Sequence, residues 1–168
     1  MGKFMKKILC FTFIVFTLIP FSACSRRGEY RDDISCRVLT NELAVLCPAE
    51  DGYSNFNAEQ IRYFFENTSL PTDYSMIYST DTNDINEIGI FHCKTEEDTE
   101  EMMAIVEQYI KDMQETQVNF VSSYAPYEIP KLEGAEVRRY GNYVVYVVLD
   151  TNERRAAFSA IENELLSN

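Results

Sequence analysis

The chain has 168 residues, 46% of them hydrophobic and 25% charged, with 15 Lys and Arg against 27 Asp and Glu and a formal net charge of −12. This composition excludes a largely disordered protein, a collagen-like repeat and a multi-span membrane protein, and the length suits one domain that buries a core without staples. So acidic a surface repels phosphate backbones, which excludes nucleic acid as a partner. Residues 1–23 stand apart from any fold: Lys3, Lys6 and Lys7 precede an apolar run over residues 8–20, and Phe21-Ser22-Ala23-Cys24 follows. A basic start, an apolar stretch and small residues before a cut are the layout of an export signal. Those 13 apolar residues span about 20 Å as a helix, short of the roughly 30 Å of a bilayer core, so a membrane-spanning helix is the weaker reading.

Ser22, Ala23 and Cys24 resemble the lipobox of bacterial lipoproteins, in which a Cys preceded by two small residues is acylated and becomes the mature N-terminus. The resemblance implies a palmitate-type modification on Cys24 and a protein lipid-anchored at the extracytoplasmic face of the cell membrane. Of the 15 basic residues 3 precede Cys24 and none of the 27 acids does, which leaves 12 against 27 and a net charge of −15. Membrane contact is therefore expected through acyl chains rather than through charge. Cys36, Cys47 and Cys93 then remain. Cys36 and Cys47 sit about 16 Å apart on one predicted helix and cannot bridge each other. Three buried free thiols are expected, with a pairing to Cys93 left open.

Residues 25–33 (SRRGEYRDD) are polar and without periodicity, so residues 24–34 read as a tether and 35–168 as a single domain. Val38, Leu39, Leu43, Leu46 and Cys47 keep a helical spacing that Pro48 ends, and residues 51–55 (DGYSN) are turn chemistry. Asn57 can cap a short helix through Ile61, Phe64 and Phe65. Residues 73–80 and 85–94, rich in β-branched and aromatic side chains around the polar turn Asp81-Thr82-Asn83-Asp84, predict an antiparallel hairpin. Thr95-Glu96-Glu97-Asp98 is a capping box with acids where the helix dipole favours them. Met102, Ile105, Val106, Tyr109, Met113 and Phe120 carry that helix to about residue 122. Pro126 and Pro130 predict a wrapped loop after it.

Residues 134–140 and 142–149 flank Gly141-Asn142, a tight-hairpin signal. The second arm, YVVYVVL, is apolar on both faces and predicts a central strand covered on both sides. Asp150 or Thr151 caps a last helix through Ala156, Ala157, Ile161 and Leu165. The expected class is α+β in the order ααββαββα. Two hairpins would make an antiparallel sheet of about four strands, packed with a long central helix and a C-terminal helix.

The run Glu87-Ile88-Gly89-Ile90-Phe91, the acidic capped helix, the Tyr124-x-Pro126 loop, the stretch from Leu132 through Gly134 to Val137 and the Gly141-Asn142-Tyr143-Val144-Val145 strand together resemble domain-of-unknown-function family 4358. The resemblance covers roughly residues 35–166 and implies a small exported lipoprotein of a Gram-positive anaerobe. It implies no catalytic residue.

Chemistry has few candidates. His92 and Cys93 are adjacent, but neighbours on a strand point to opposite faces, so a thiol and its base would not meet. Residues 81–92 begin like a calcium loop, yet Asn86 stands where Gly belongs and His92 where Glu does, and zinc would have one His and no close Cys pair. GxSxG, GxGxxG and P-loop patterns are absent, and the lack of Trp excludes a Trp-stacked sugar site. No catalytic residue, no cofactor and no metal site is therefore expected. Tyr124, Tyr127, Tyr140, Tyr143 and Tyr146 crowd one third of the chain, and Tyr124 and Tyr127, in the proline-held loop, are the expected binding surface. The expected role is a non-enzymatic binding or assembly module for an envelope protein or polymer. The alternative is an envelope hydrolase using carboxylates.

Overall fold

The computed structural model describes residues 30–65 and 69–166. In chain order its elements are α1 (Cys36–Leu46), β1 (Tyr53–Asn55), α2 (Ala58–Phe64), β2 (Pro71–Ser79), β3 (Glu87–Cys93), α3 (Glu96–Tyr124), a 3₁₀ turn (Pro126–Glu128), α4 (Ile129–Glu133), β4 (Glu136–Tyr140), β5 (Tyr143–Val148) and α5 (Thr151–Leu166). The class is α+β, with one antiparallel sheet in the order β1-β2-β3-β5-β4.

The helices begin where side chains satisfy their orphan N–H groups. Ser35 caps α1, whose first N–H, that of Cys36, also donates to the Asp73 carboxylate at 2.7 Å. Asn57 and Gln60 form a complete capping box on α2. On α3 the Thr95 hydroxyl accepts from the Asp98 N–H and in turn donates to the Asp98 carboxylate at 2.7 Å. Asp150 caps α5, accepting from the N–H groups of Asn152 and Glu153 at 2.7 and 3.1 Å.

Strand alternation sorts two cores across the sheet. Ile88, Ile90, Tyr143, Val145 and Val147 face α1 and α5, meeting Leu39, Leu43, Phe158 and Ile161. Phe91, Cys93, Val144, Tyr146 and Val148 face α2, α3 and α4, meeting Phe65, Met102, Val106 and Leu132. All six residues of β5 are buried, as an apolar strand between β3 and β4 with helices on both faces must be. Gly89 is required where it stands, since a Cβ there would collide with the Tyr146 ring.

Two segments differ from the sequence reading. Residues 53–55, expected as turn, form a fifth strand on the free edge of β2, whose 9 residues overhang the 7 of β3. A three-residue strand is too short to show a period of two. The proline segment, expected as a wrapped loop, folds into the 3₁₀ turn and α4, with each proline in a first turn. There its missing N–H costs nothing.

Residues 30–34, the end of the stretch read as a tether, are docked. Tyr30 packs edge-on against Tyr140 at 5.7 Å, the Arg31 N–H donates to Leu165 O at 2.8 Å, and His92 Nε2 lies 2.6 Å from Asp32 Oδ1. The Tyr143 hydroxyl accepts from the Ile34 N–H at 3.1 Å and donates to Ile34 O at 2.7 Å. All of this sits where His92 pairs with Tyr143, one end of the sheet; Glu87 paired with Val148 marks the other.

Candidate functional site

At the Glu87–Val148 end, four connections converge on a cleft of about 270 Å³. The turn between β2 and β3 is shaped by Asp81 accepting from the Asn83 N–H at 2.8 Å and Asp84 from the Asn86 N–H at 3.0 Å. The stretch after α1 adds Pro48 and Glu50, the proline segment adds Tyr127, Glu128 and Lys131, and the start of α5 adds Asp150 and Glu153. The lining carboxylates are thus Glu50, Asp81, Asp84, Glu128, Asp150 and Glu153, and Lys131 is the basic residue among the described ones that line it.

Lys131 Nζ bridges Asp84 Oδ1 at 2.9 Å and Glu128 Oε2 at 2.8 Å, and Glu128 Oε2 also accepts from the Ile85 N–H at 3.1 Å. Burial alone would raise the Asp84 carboxyl, but the Lys131 hydrogen bond and the Asn86 N–H outweigh it and hold Asp84 below the usual carboxylate range. Burial would likewise lower Lys131, and the two carboxylates keep it above its ordinary value. Across the cleft, the N–H groups of Glu153 and Asn152 hold Asp150 low, whereas burial and then the Asp150 charge push Glu153 up. On the wall, Asn86 is 4% exposed; its Nδ2 reaches the Tyr53 hydroxyl at 3.5 Å, and its Oδ1 has no partner among the described residues.

Both expected surface tyrosines are exposed, Tyr124 at 72% and Tyr127 at 64%. They face different neighbours. Tyr124 packs on exposed Phe120 with ring centroids 4.7 Å apart, while Tyr127 lines the cleft and donates its hydroxyl to Asn83 O at 3.2 Å. Tyr140, Tyr143 and Tyr146 are buried and belong to the two cores. Cys24 lies outside the described residues.

His92 and Cys93 point to opposite faces: the imidazole stacks near Tyr143 at 4.5 Å with Thr72 Oγ1 3.1 Å from Nδ1, and the thiol lies in the α3-side core. Cys36, Cys47 and Cys93, the cysteines among the described residues, are free and buried. Burial, the larger cause in each, pushes Cys47 and Cys93 up to about 11 and Cys36 further, which keeps them as inert thiols. Among the described residues no group of three or more His, Cys, Asp or Glu is placed to hold a metal ion, and no helix is long and apolar enough to cross a membrane.

The sequence reading met Asn86 only as the residue that spoils a calcium loop, and it did not reach Glu128, Lys131 or Glu153. The i,i+3 spacing of Glu128 and Lys131 was a visible signal. The joining of Lys131 to Asp84, 47 positions away, was not. A family model described as Domain of unknown function (DUF4358) matches residues 51–149, more than half of the chain. No curated protein and no solved structure matches it.

Proposed function

This chain belongs to the DUF4358 family, and for it we propose a lipoprotein tethered through Cys24 to the extracytoplasmic face of the membrane, whose domain is a non-enzymatic module for binding or assembly in the envelope. One observation carries the reading. The exposed aromatics Phe120, Tyr124 and Tyr127 and the acidic cleft gather at the sheet end opposite the docked residues 30–34. A ligand surface remote from the anchored terminus suits a tethered receptor, and the proline-held backbone of residues 126–130 lowers the entropic cost of binding there. The separation of His92 from Cys93 and the high-pKa thiols also favour a module over thiol chemistry.

The test uses the full-length protein in detergent. Captured envelope material should fall at least tenfold, roughly the effect of losing one aromatic hot spot, in a Tyr124→Ala, Tyr127→Ala double variant; equal capture refutes the surface. Cys24→Ala should leave the membrane fraction or stay unprocessed, and a mature peptide retaining residues upstream of Cys24 refutes the anchor.

A second reading, a hydrolase using carboxylates, draws on the opposite shifts of Glu153 and Asp150 in one cleft. The Asp150 carboxylate is committed to capping α5, which leaves Glu153 the freer group. Hydrolysis of an envelope polymer, abolished in Glu153→Gln, would replace the module with the enzyme.

A further inference from the structure

We propose that the acidic cleft is a recognition site for an aliphatic primary ammonium, the group at the end of a lysine-like side chain or a free diamine. The assignment rests on the module reading and names its ligand class. Two independent features point to it. The first is charge: six carboxylates line the cleft against Lys131, Lys131 is spent on Asp84 and Glu128, and Asp81 and Asp150 accept from backbone N–H groups, which leaves Glu50 and Glu153. The second is an orphan acceptor. Asn86 is buried on the cleft wall at 4% exposure, its backbone N–H goes to Asp84, its O accepts from the Ser79 N–H, and its side-chain Oδ1 meets no donor. A buried carbonyl oxygen without a donor costs free energy that a ligand's N–H recovers.

The ligand must therefore bring positive charge and donors together. An anion fails on charge. A divalent metal fails on geometry, since no three ligating side chains among the described residues converge. Between the organic cations, an ammonium carries three tetrahedrally spread donors, whereas a guanidinium is a planar fork suited to one carboxylate edge. Here the acceptors stand on separate connections: Asn86 from the β2–β3 turn, Glu50 after α1 and Glu153 on α5. Spread donors match spread acceptors. The cleft, about 270 Å³, lies just under the usual lower bound of roughly 300 Å³ for a ligand pocket, so it takes one terminal group and its alkyl stem rather than a whole drug-sized molecule. Tyr127 at the rim offers its ring to that stem and to the cation.

The experiment titrates full-length protein in detergent with Nα-acetyl-lysine methylamide, 1,5-diaminopentane, the norleucine and arginine counterparts of the lysine probe, and calcium chloride. Binding is read by calorimetry and by the proton shifts of the Asn86 side-chain amide. The lysine probe or the diamine should bind and move the Asn86 amide, and the norleucine probe should not. Glu153→Gln and Glu50→Gln, conservative changes on partly exposed ground, should each weaken binding about tenfold, the effect of one charged hydrogen bond. Preference for the lysine probe assigns a polymer-borne amine; preference for the diamine assigns a free one. No binding by either amine, equal binding of the norleucine or arginine probe, binding of calcium alone, or affinity unchanged in both variants overturns the proposal. Capture at Tyr124 and Tyr127 without ammonium binding refutes the ligand class and leaves the module standing, and ammonium binding without capture does the reverse.

Discussion

Replacing Lys131 with Met tests how the cleft is held together. The stem stays while the charge goes, so Asp84 and Glu128 lose contacts of 2.9 and 2.8 Å with side chains only 14% and 6% exposed. Removing one partner of a buried ion pair costs about 3–5 kcal/mol, and the 17% exposure of Lys131 admits some solvent, which brings the expected loss to about 2–3 kcal/mol. For a domain of this size that lowers Tm by about 6–12 °C. The sign with pH is fixed by the two shifts. Asp84 is held below its ordinary 3.8, so its contribution is complete above that pH and is lost as pH falls through its lower folded value. Lys131 is held above its ordinary 10.5, so its contribution is complete below that pH and is lost as pH rises through its higher folded value. The deficit of Lys131→Met should therefore be full between about pH 5 and 9 and shrink under strong acid as Asp84 protonates. Thermal melts by circular dichroism of full-length protein read this directly. Lys111→Met is the control, because its contact with Glu115 is 4.0 Å long and 65% exposed, worth about 0.5 kcal/mol or less. Equal melting of the two variants at pH 7, or a Lys131→Met deficit that grows on acidification, refutes the reasoning.

Val145→Asp places a charge in a strand residue with 0% exposure and should unfold the domain, at a cost of several kcal/mol. Glu100→Lys, which gives up only a 3.5 Å contact with Arg139 on the exposed side of α3, should stay within about 1 kcal/mol of the parent; matching melts for both would show that β5 is not interior. Glu87 accepts from the Tyr109 and Tyr146 hydroxyls at 2.6 and 2.5 Å, and burial raises its pKa above the ordinary 4.5. The stability it allows is complete below that ordinary value and is lost as pH rises through the raised one. Glu87→Gln keeps the acceptor and cannot ionise, so it should melt higher than the parent at pH 7 and match it at pH 4. A variant that melts lower at pH 7 refutes this.

The sequence made the frame legible wherever the signal was local. Thr95 and Asp98 marked the start of α3, Gly141-Asn142 marked the β4–β5 turn, with Gly141 at φ 57°, and the unbroken apolar run of residues 143–149 marked the interior strand. Where the signal was non-local it failed. Residues 53–55 become a strand only because β2 offers an unpaired edge, and residues 30–34 look like solvated linker because their docking uses a backbone carbonyl of Leu165 and the Tyr143 hydroxyl. Tyr127 was legible as an exposed ring, but the cleft beneath it is assembled by residues from four connections. No periodicity encodes such a meeting.

The two ends of the sheet set a height. Six residue steps separate Cys24 from docked Tyr30, at most about 20 Å of extended chain. α3 starts beside the docked end, where Arg139 lies 3.5 Å from both Glu96 and Glu100, and its 29 residues carry Tyr124 about 43 Å along its axis. Under the anchoring proposed at Cys24, that reach would make the domain a short mast rather than a float on a long line. Its cleft and tyrosines would then stand away from the bilayer surface, toward the end of α3 far from the anchored terminus. On the same proposal, lengthening the chain between Cys24 and Tyr30 would extend that reach without altering a single contact in the cleft.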